Sequence, residues 1–309
     1  MTQPPPPPRP LSWRSAATAF TVGAVRGGNQ VAIKLALLSF APLWTAFGRM
    51  AVSVATIFAL SRWDRITLRP ESHERRPLIL LSLIFTVQIS MLHWGADLTS
   101  PAYAVVLVNT NPIFANLISH FFVPEDRLSG RRVFGLALAF AGVSGVFLGQ
   151  PDAGLAPNPL LGNALMVLSG LMVGARTVYI QRIVQRMPTA RAVFWQMLLS
   201  LPCFALAASI TPDRIERMDV QWESLAAITY QGLIVGGVAL IAWVRLLKRH
   251  TPGTISVFSF VTPMAGLVLA ALLFGEAVTP RLVLGLAAVL TGIALVTTKK
   301  SPPRPPVQE

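Results

Sequence analysis

Ten apolar runs, each close to the length needed to cross a bilayer, restrict this chain more than any other feature. A helix needs about 20 apolar residues to span the hydrocarbon core. The runs fall at roughly 16–37, 42–61, 77–97, 101–122, 132–150, 160–182, 190–209, 223–245, 252–274 and 281–298. Several turns between them are only a few residues long, such as 38–41 and 98–100, and force antiparallel hairpins. Charged residues make up 13% of the 309-residue chain, where a soluble domain carries about 25%. The mean hydropathy is +0.59. The expected fold class is an all-α, polytopic membrane protein of ten transmembrane helices.

Basic residues then orient the helices, because Lys and Arg concentrate on the cytoplasmic side. With the N-terminus inside, 19 of the 26 Lys and Arg fall inside. Only Arg214, Arg217 and Arg281 fall outside, and Arg26, Lys34, Arg49 and Arg176 lie within spans. The net charge of +13 therefore has a topological origin and does not call for nucleic acid. Both termini are expected on the cytoplasmic face of the cell (inner) membrane. The proline-rich ends, 1–14 and 299–309, read as disordered tails. A cleaved signal peptide is not expected, since the first apolar run is too long for one. The lone Cys203 makes no intrachain disulfide, the four histidines show no metal spacing, and no lysine follows a glycine as a phosphate-binding loop requires. No cofactor or metal is expected.

The chain also repeats itself. Residues 100–125 align without gaps to 251–276, matching Pro101 with Pro252, Pro112 with Pro263 and Glu125 with Glu276. Residues 23–50 align to 170–197, matching Gly23 with Gly170, Gly27 with Gly174 and Met50 with Met197. Further on, Gly135 meets Gly285 and Gly142 meets Gly292. The unit spans 15–150 and then 151–298, with five helices in each copy. An odd number makes the second copy enter from the opposite side. Inverted repeats of this kind underlie many secondary transporters, with the site near the midplane between copies.

These residues resemble a known family. GGNQVAIKLAL…PLWTAFGRM, the PEDRLSGRRVFG segment and its second copy GEAVTPRLVLG are similar to the EamA family of the drug/metabolite transporter superfamily, over about 15–298. The resemblance implies ten helices in two inverted five-helix repeats. It also implies a central cavity walled by the first, third, fourth, sixth, eighth and ninth spans, and transport of small metabolites, often amino acids. Family members commonly carry Trp-Gly where this chain has Arg26-Gly27, so the lining of the first span departs from the family.

Polar residues inside spans mark the candidate site. A buried cation at a helix centre costs roughly 2.5–3.5 kcal/mol on insertion scales. At 100° per residue, Arg26, Asn29, Gln30 and Lys34 share one face about 140° wide. This stripe suits an aqueous cavity, although Lys34 lies near the helix end and could snorkel. Further candidates are Gln88, His93 and Trp94 in the third span, Asn109 and Asn111 in the fourth, Arg176, Tyr179 and Gln181 in the sixth, and Ser259 in the ninth. Pro112 and Pro263 would kink the fourth and ninth spans; the amides around the first kink either bind substrate or re-satisfy broken backbone. Trp94 and Trp243 suit interfacial belts. His93 and Asp97, four apart, could bond on one helix face. Arg49 reads as structural, tying spans together. Glycines 23, 27, 28, 135, 142, 285 and 292 read chiefly as packing positions.

All 13 carboxylates lie in loops or near span ends, so the cavity should be cationic. That favours amino acids or organic anions over lipophilic cations. The expected function is secondary transport, most simply export, by alternating access. A channel-like facilitator or a non-transporting membrane sensor is the alternative. An enzyme is not expected, because no carboxylate pair sits at an accessible depth. Expected partners are a small-molecule substrate and the lipid bilayer, with the chain a monomer or a homodimer.

Overall fold

The computed structural model describes residues 12–122, 129–184, 187–211, 220–249 and 257–297, less a few side chains within helices, those of Gln181 and Ser259 among them. Most of both proline-rich tails, and Glu125, lie outside this set. No strand occurs among the described residues.

Helix α1 (Trp13–Ala36) begins where Ser12 Oγ accepts the Ser15 N–H at 3.2 Å. Proline opens α2 (Pro42–Trp63), supplying a fixed φ where no N–H is needed. A 3-10 turn (Ser72–Glu74) leads into α3 (Arg75–Leu98). Helices α4 (Pro101–Val108) and α5 (Asn111–Phe122) form one course broken at Asn109–Thr110, just before Pro112. They are followed by α6 (Gly130–Phe147), α7 (Pro159–Ile183) and α8 (Thr189–Ile210), the last with Pro202 in its interior. Next, α9 (Trp222–Thr229) passes into a π-helical segment (Tyr230–Ala239) and then α10 (Leu240–Arg249). A 3-10 turn (Val257–Phe260) precedes α11 (Val261–Phe274), which stops at Gly275 with φ 63°. The described chain ends with α12 (Pro280–Thr297).

Among the described residues, seven helical stretches are long and apolar enough to cross a membrane: α2, α3 with its 3-10 turn, α4–α5, α6, α7, α8, and α9 through the π segment into α10. Helices α11 and α12 are shorter and apolar. Large apolar side chains point outward along the bundle, including Trp63 at 87% exposure and Leu272 at 74%. A water-soluble bundle would bury such groups; lipid accepts them. The protein is a polytopic, all-helical membrane protein.

Packing follows a regular scheme. Helix α1 lies against α11 and against α9 with the π segment, while α7 lies against α4–α5 and α3. Helix α2 packs on α8, and α6 on α12. Small residues allow these approaches, since lipid gives helices no hydrophobic reason to associate. A Cβ on Gly27 would stand 2.5 Å from the Thr262 carbonyl oxygen, and one on Gly174 would stand 2.8 Å from the Ala115 nitrogen. On α6, a Cβ at Gly135 would meet the Gly292 oxygen at 2.8 Å, and one at Gly142 the Gly285 oxygen at 2.7 Å. The glycines expected to pack do so.

Polar ties hold the two ends of the bundle. At one end Thr99 Oγ1 donates to Asn163 Oδ1 at 2.6 Å, and Asn163 donates to the Phe147 carbonyl at 3.1 Å. Glu276 there accepts from the Ser100 hydroxyl and, at 2.9 Å, from the Ala102 N–H, capping α4 from the α11–α12 turn. At the other end Arg191 Nη1 donates to both oxygens of buried Glu74, at 2.8 and 2.9 Å. Trp195 Nε1 donates to the Leu68 carbonyl at 2.7 Å, fastening the α2–α3 connection to α8.

Candidate functional site

The polar face of α1 looks into a cavity of about 310 Å³ in the middle of the bundle. From α1 come Arg26, Asn29 and Gln30; from α2, Arg49; from α3, Gln88; from the α4–α5 break, Asn109 and Asn111; from α7, Arg176 and Thr177; and from α8, Gln196. The π segment adds Gly236 and α11 adds Thr262. The site is thus assembled from every quarter of the bundle, and its polarity comes from side chains that few lipid-facing helices could carry.

Among the described residues three cations border this space, and no Asp or Glu does. The Arg26 guanidinium sits over the Trp243 ring, 5.5 Å from its centroid, and Arg176 over Phe85 at 5.0 Å. A ring face steadies a cation without neutralising it. Arg176 is within electrostatic range of both Arg26 and Arg49. Arg49 Nε and Nη1 are buried and meet no acceptor. Buried amide oxygens on Asn29, Gln30 and Gln196 also have no donor, with Gln30 at 7% exposure and Gln196 at 3%. Leaving a buried polar group unpaired costs about 1–3 kcal/mol. Asn29, Gln30, Arg49 and Gln196 gather such groups around one cavity.

The amides at the helix break are partly occupied. Asn109 Nδ2 donates to the Val105 carbonyl at 2.6 Å, Asn111 Nδ2 to Val108 at 3.1 Å, and Thr110 Oγ1 to Leu107 at 2.7 Å. They close the carbonyls that Pro112 and the break leave open, and both asparagines still face the cavity. Gln88 Nε2 donates to Ser169 Oγ at 3.1 Å and so links α3 to α7 beneath it.

A model of the EamA-like transporter family matches the chain twice, over residues 13–148 and 160–298. The chain belongs to the EamA-like transporter family. It is 20% identical to the uncharacterized transporter YoaV of Bacillus subtilis (strain 168), over 90% of this chain and 94% of the relative. It is 24% identical to a "Probable amino-acid metabolite efflux pump" of Escherichia coli (strain K12), over 92% and 94% of the two chains. One crystal structure, 19% identical, shares the fold with a TM-score of 0.65, over 92% of this chain and 97% of the other. This EamA member is accordingly a membrane transporter for a small molecule, and not an enzyme.

Within the transporter, the residues singled out in sequence divide. Arg26, Asn29, Gln30, Gln88, Asn109, Asn111 and Arg176 are brought together at the cavity. Lys34 is not. Its ammonium donates to the carbonyls of Ala96 (3.0 Å), Asp97 (3.0 Å), Thr99 (2.9 Å) and Leu155 (2.6 Å), so it neither snorkels nor lines the cavity. His93 is fully buried; its Nδ1 lies 2.9 Å from the Ile89 carbonyl and its Nε2 has no partner. That carbonyl can only accept, so the proton sits on Nδ1. Trp94 stands with Trp44 and Thr211 at the bundle's end, and Tyr179 donates to the Pro77 carbonyl at 3.4 Å. Pro263 lies in the first turn of α11, after a 3-10 turn, where its missing N–H is tolerated. The side chains of Gln181 and Ser259 lie outside the described residues. Arg49, Thr177 and Gln196 were missed as lining residues. The tying role expected of Arg49 is not what its unpaired nitrogens do. The signal was present in the repeat alignment, which sets Arg49 opposite Gln196, two polar residues at one register of apolar spans.

Proposed function

We propose that this EamA protein is a secondary transporter, working as an exporter of small metabolites such as amino acids or organic anions by alternating access. The observation that carries the reading is the central cavity, lined among the described residues by three arginines and unpaired amides and by no carboxylate. Two inverted five-helix repeats, 15–150 and 151–298, form its walls, and ten helices cross the cell (inner) membrane with both termini cytoplasmic. Three observations support this architecture. The family model matches twice. A described helix, whole or broken, falls on each of the ten apolar runs. The packing scheme also maps onto itself when the halves are exchanged: α1–α11 becomes α7–α4–α5, while α2–α8 and α6–α12 each return to themselves. Aligned positions 26 and 173, 29 and 176, 30 and 177, and 49 and 196 line the cavity in pairs. An efflux pump among the relatives supports the outward direction.

The test is flux of labelled amino acids and organic acids in liposomes reconstituted with the full chain. Arg26→Ala should lower flux at least about tenfold and Asn111→Ala severalfold. Unchanged flux in both removes the cavity as the transport site. Quaternary cations outcompeting the acids would sink the anionic substrate class. Flux that does not saturate with substrate would favour the channel-like alternative.

A further inference from the structure

We propose that the cavity selects a compact substrate bearing at least two negative charges, with Arg49 meeting one of them. The inference rests on the cavity being the transport site and narrows what it carries. Arg26, Arg49 and Arg176 border one space of about 310 Å³, and no acidic residue among the described ones lines it. Arginine stays protonated in proteins. Cations inside a helical bundle are ordinarily paired, yet here two rest on aromatic faces and the third has buried, unpartnered N–H groups. The missing negative charge must arrive with the ligand. A zwitterionic amino acid, of zero net charge, would leave all three cations uncompensated once water is expelled. A monoanion would leave two. A dianion brings the closed site within one charge of neutrality.

Two further observations agree. Gln30 and Gln196, each more than nine-tenths buried, present unpaired amide oxygens to the same space. They suit a hydroxyl or N–H on the ligand. The volume lies at the lower end for ligand pockets, so both charges must sit on a small skeleton. Guanidinium groups match the oxygens of carboxylate and phosphate equally well. A dicarboxylate and a phosphate monoester are therefore two sources of one chemistry.

The experiment uses the purified full-length chain in detergent and measures binding by calorimetry. Succinate is compared with succinamate, which has the same skeleton and one charge fewer, and glycerol 3-phosphate with glycerol. At least one dianion should bind about tenfold or more tightly than its control, a difference of about 1.4 kcal/mol. The better of the two identifies the source. Arg49→Gln should erase most of that preference and Arg49→Lys should keep part of it. Succinamate and glycerol binding as tightly as the dianions overturns the proposal, as does failure of both dianions to bind or a preference untouched in Arg49→Gln. If that variant does not fold, the wild-type salt dependence decides. Affinity for the preferred dianion should fall more steeply with ionic strength than affinity for succinamate, and equal slopes overturn the proposal. Flux in liposomes separates the two readings. Amino acid transport without dianion binding removes this inference and leaves transport standing; dianion binding without flux removes the transport reading and leaves only a dianion-binding cavity.

Discussion

Lys34 and Arg49 are both cations within the bundle, and their surroundings are opposites. Four carbonyls from the end of α3 and the α6–α7 connection surround the Lys34 ammonium. Arg49 turns Nε and Nη1 into the protein interior and finds no acceptor. The first cation is satisfied by the chain itself and so belongs to the fold. Two nitrogens of the second find no acceptor among the described residues, which is why we assign it to the substrate rather than to the fold. In an interior where unpaired charge is expensive, hydrogen-bond completeness is what distinguishes these two cations.

The comparison can be broken most forcefully at Lys34. Lys34→Met leaves several carbonyls without a donor and should destabilise the chain by about 3 kcal/mol or more. A drop in the unfolding midpoint in detergent, with substrate affinity of the folded fraction retained, is the expected result. Arg49→Gln should do the reverse, costing at least about tenfold in flux while the unfolding midpoint holds. A lowered midpoint there, with flux intact, would make Arg49 a structural residue after all. Asn111→Ala tests a residue with both duties, since its Nδ2 closes the Val108 carbonyl and its side chain faces the cavity. It should lose about 1 kcal/mol of stability and severalfold in flux, the two effects together.

The smallest expected effect concerns Glu276, which lies in the α11–α12 turn. Burial pushes its carboxyl above the ordinary value and Asp152 adds to the push, while Ser100, the Ala102 N–H and Lys34 pull it back only in part. A carboxyl raised in the fold binds its proton more tightly there than in the unfolded chain. Its contribution is therefore fully present below the ordinary carboxylate value and is lost as pH rises through the raised one. Unfolding midpoints at acidic and neutral pH should show this slope in the wild type and a flatter one in Glu276→Gln. Equal slopes would leave Glu276 as a cap without pH sensitivity.

Much of this was legible in the sequence because it depends on whole segments. Apolar length marks a helix regardless of its neighbours, and the shared face of Arg26, Asn29 and Gln30 needs only helical geometry. Lys34 shares that face and was misdirected by the same reasoning, because its acceptors are backbone carbonyls and these have no sequence signature. Pro112 announced the α4–α5 break. Nothing announced the π-helical segment, where Gly232 lets the backbone approach Val52 and the Arg49 carbonyl and Ser53 donates to the Gly232 carbonyl at 3.2 Å. The widened segment coincides with close tertiary contact, which periodicity does not record.

The glycine contacts between α6 and α12 carry one more consequence. Gly135 opposes Gly292, and Gly142 opposes Gly285. Since Gly135 aligns with Gly285 and Gly142 with Gly292, exchanging the halves converts each contact into the other. This is the geometry of an isologous interface, in which one surface patch meets its own copy. A side chain added at one such glycine in an unfused unit would be felt at both contacts at once. In this chain Gly135→Ala is felt at one. Each half can therefore vary separately along a seam whose two contacts mirror one another.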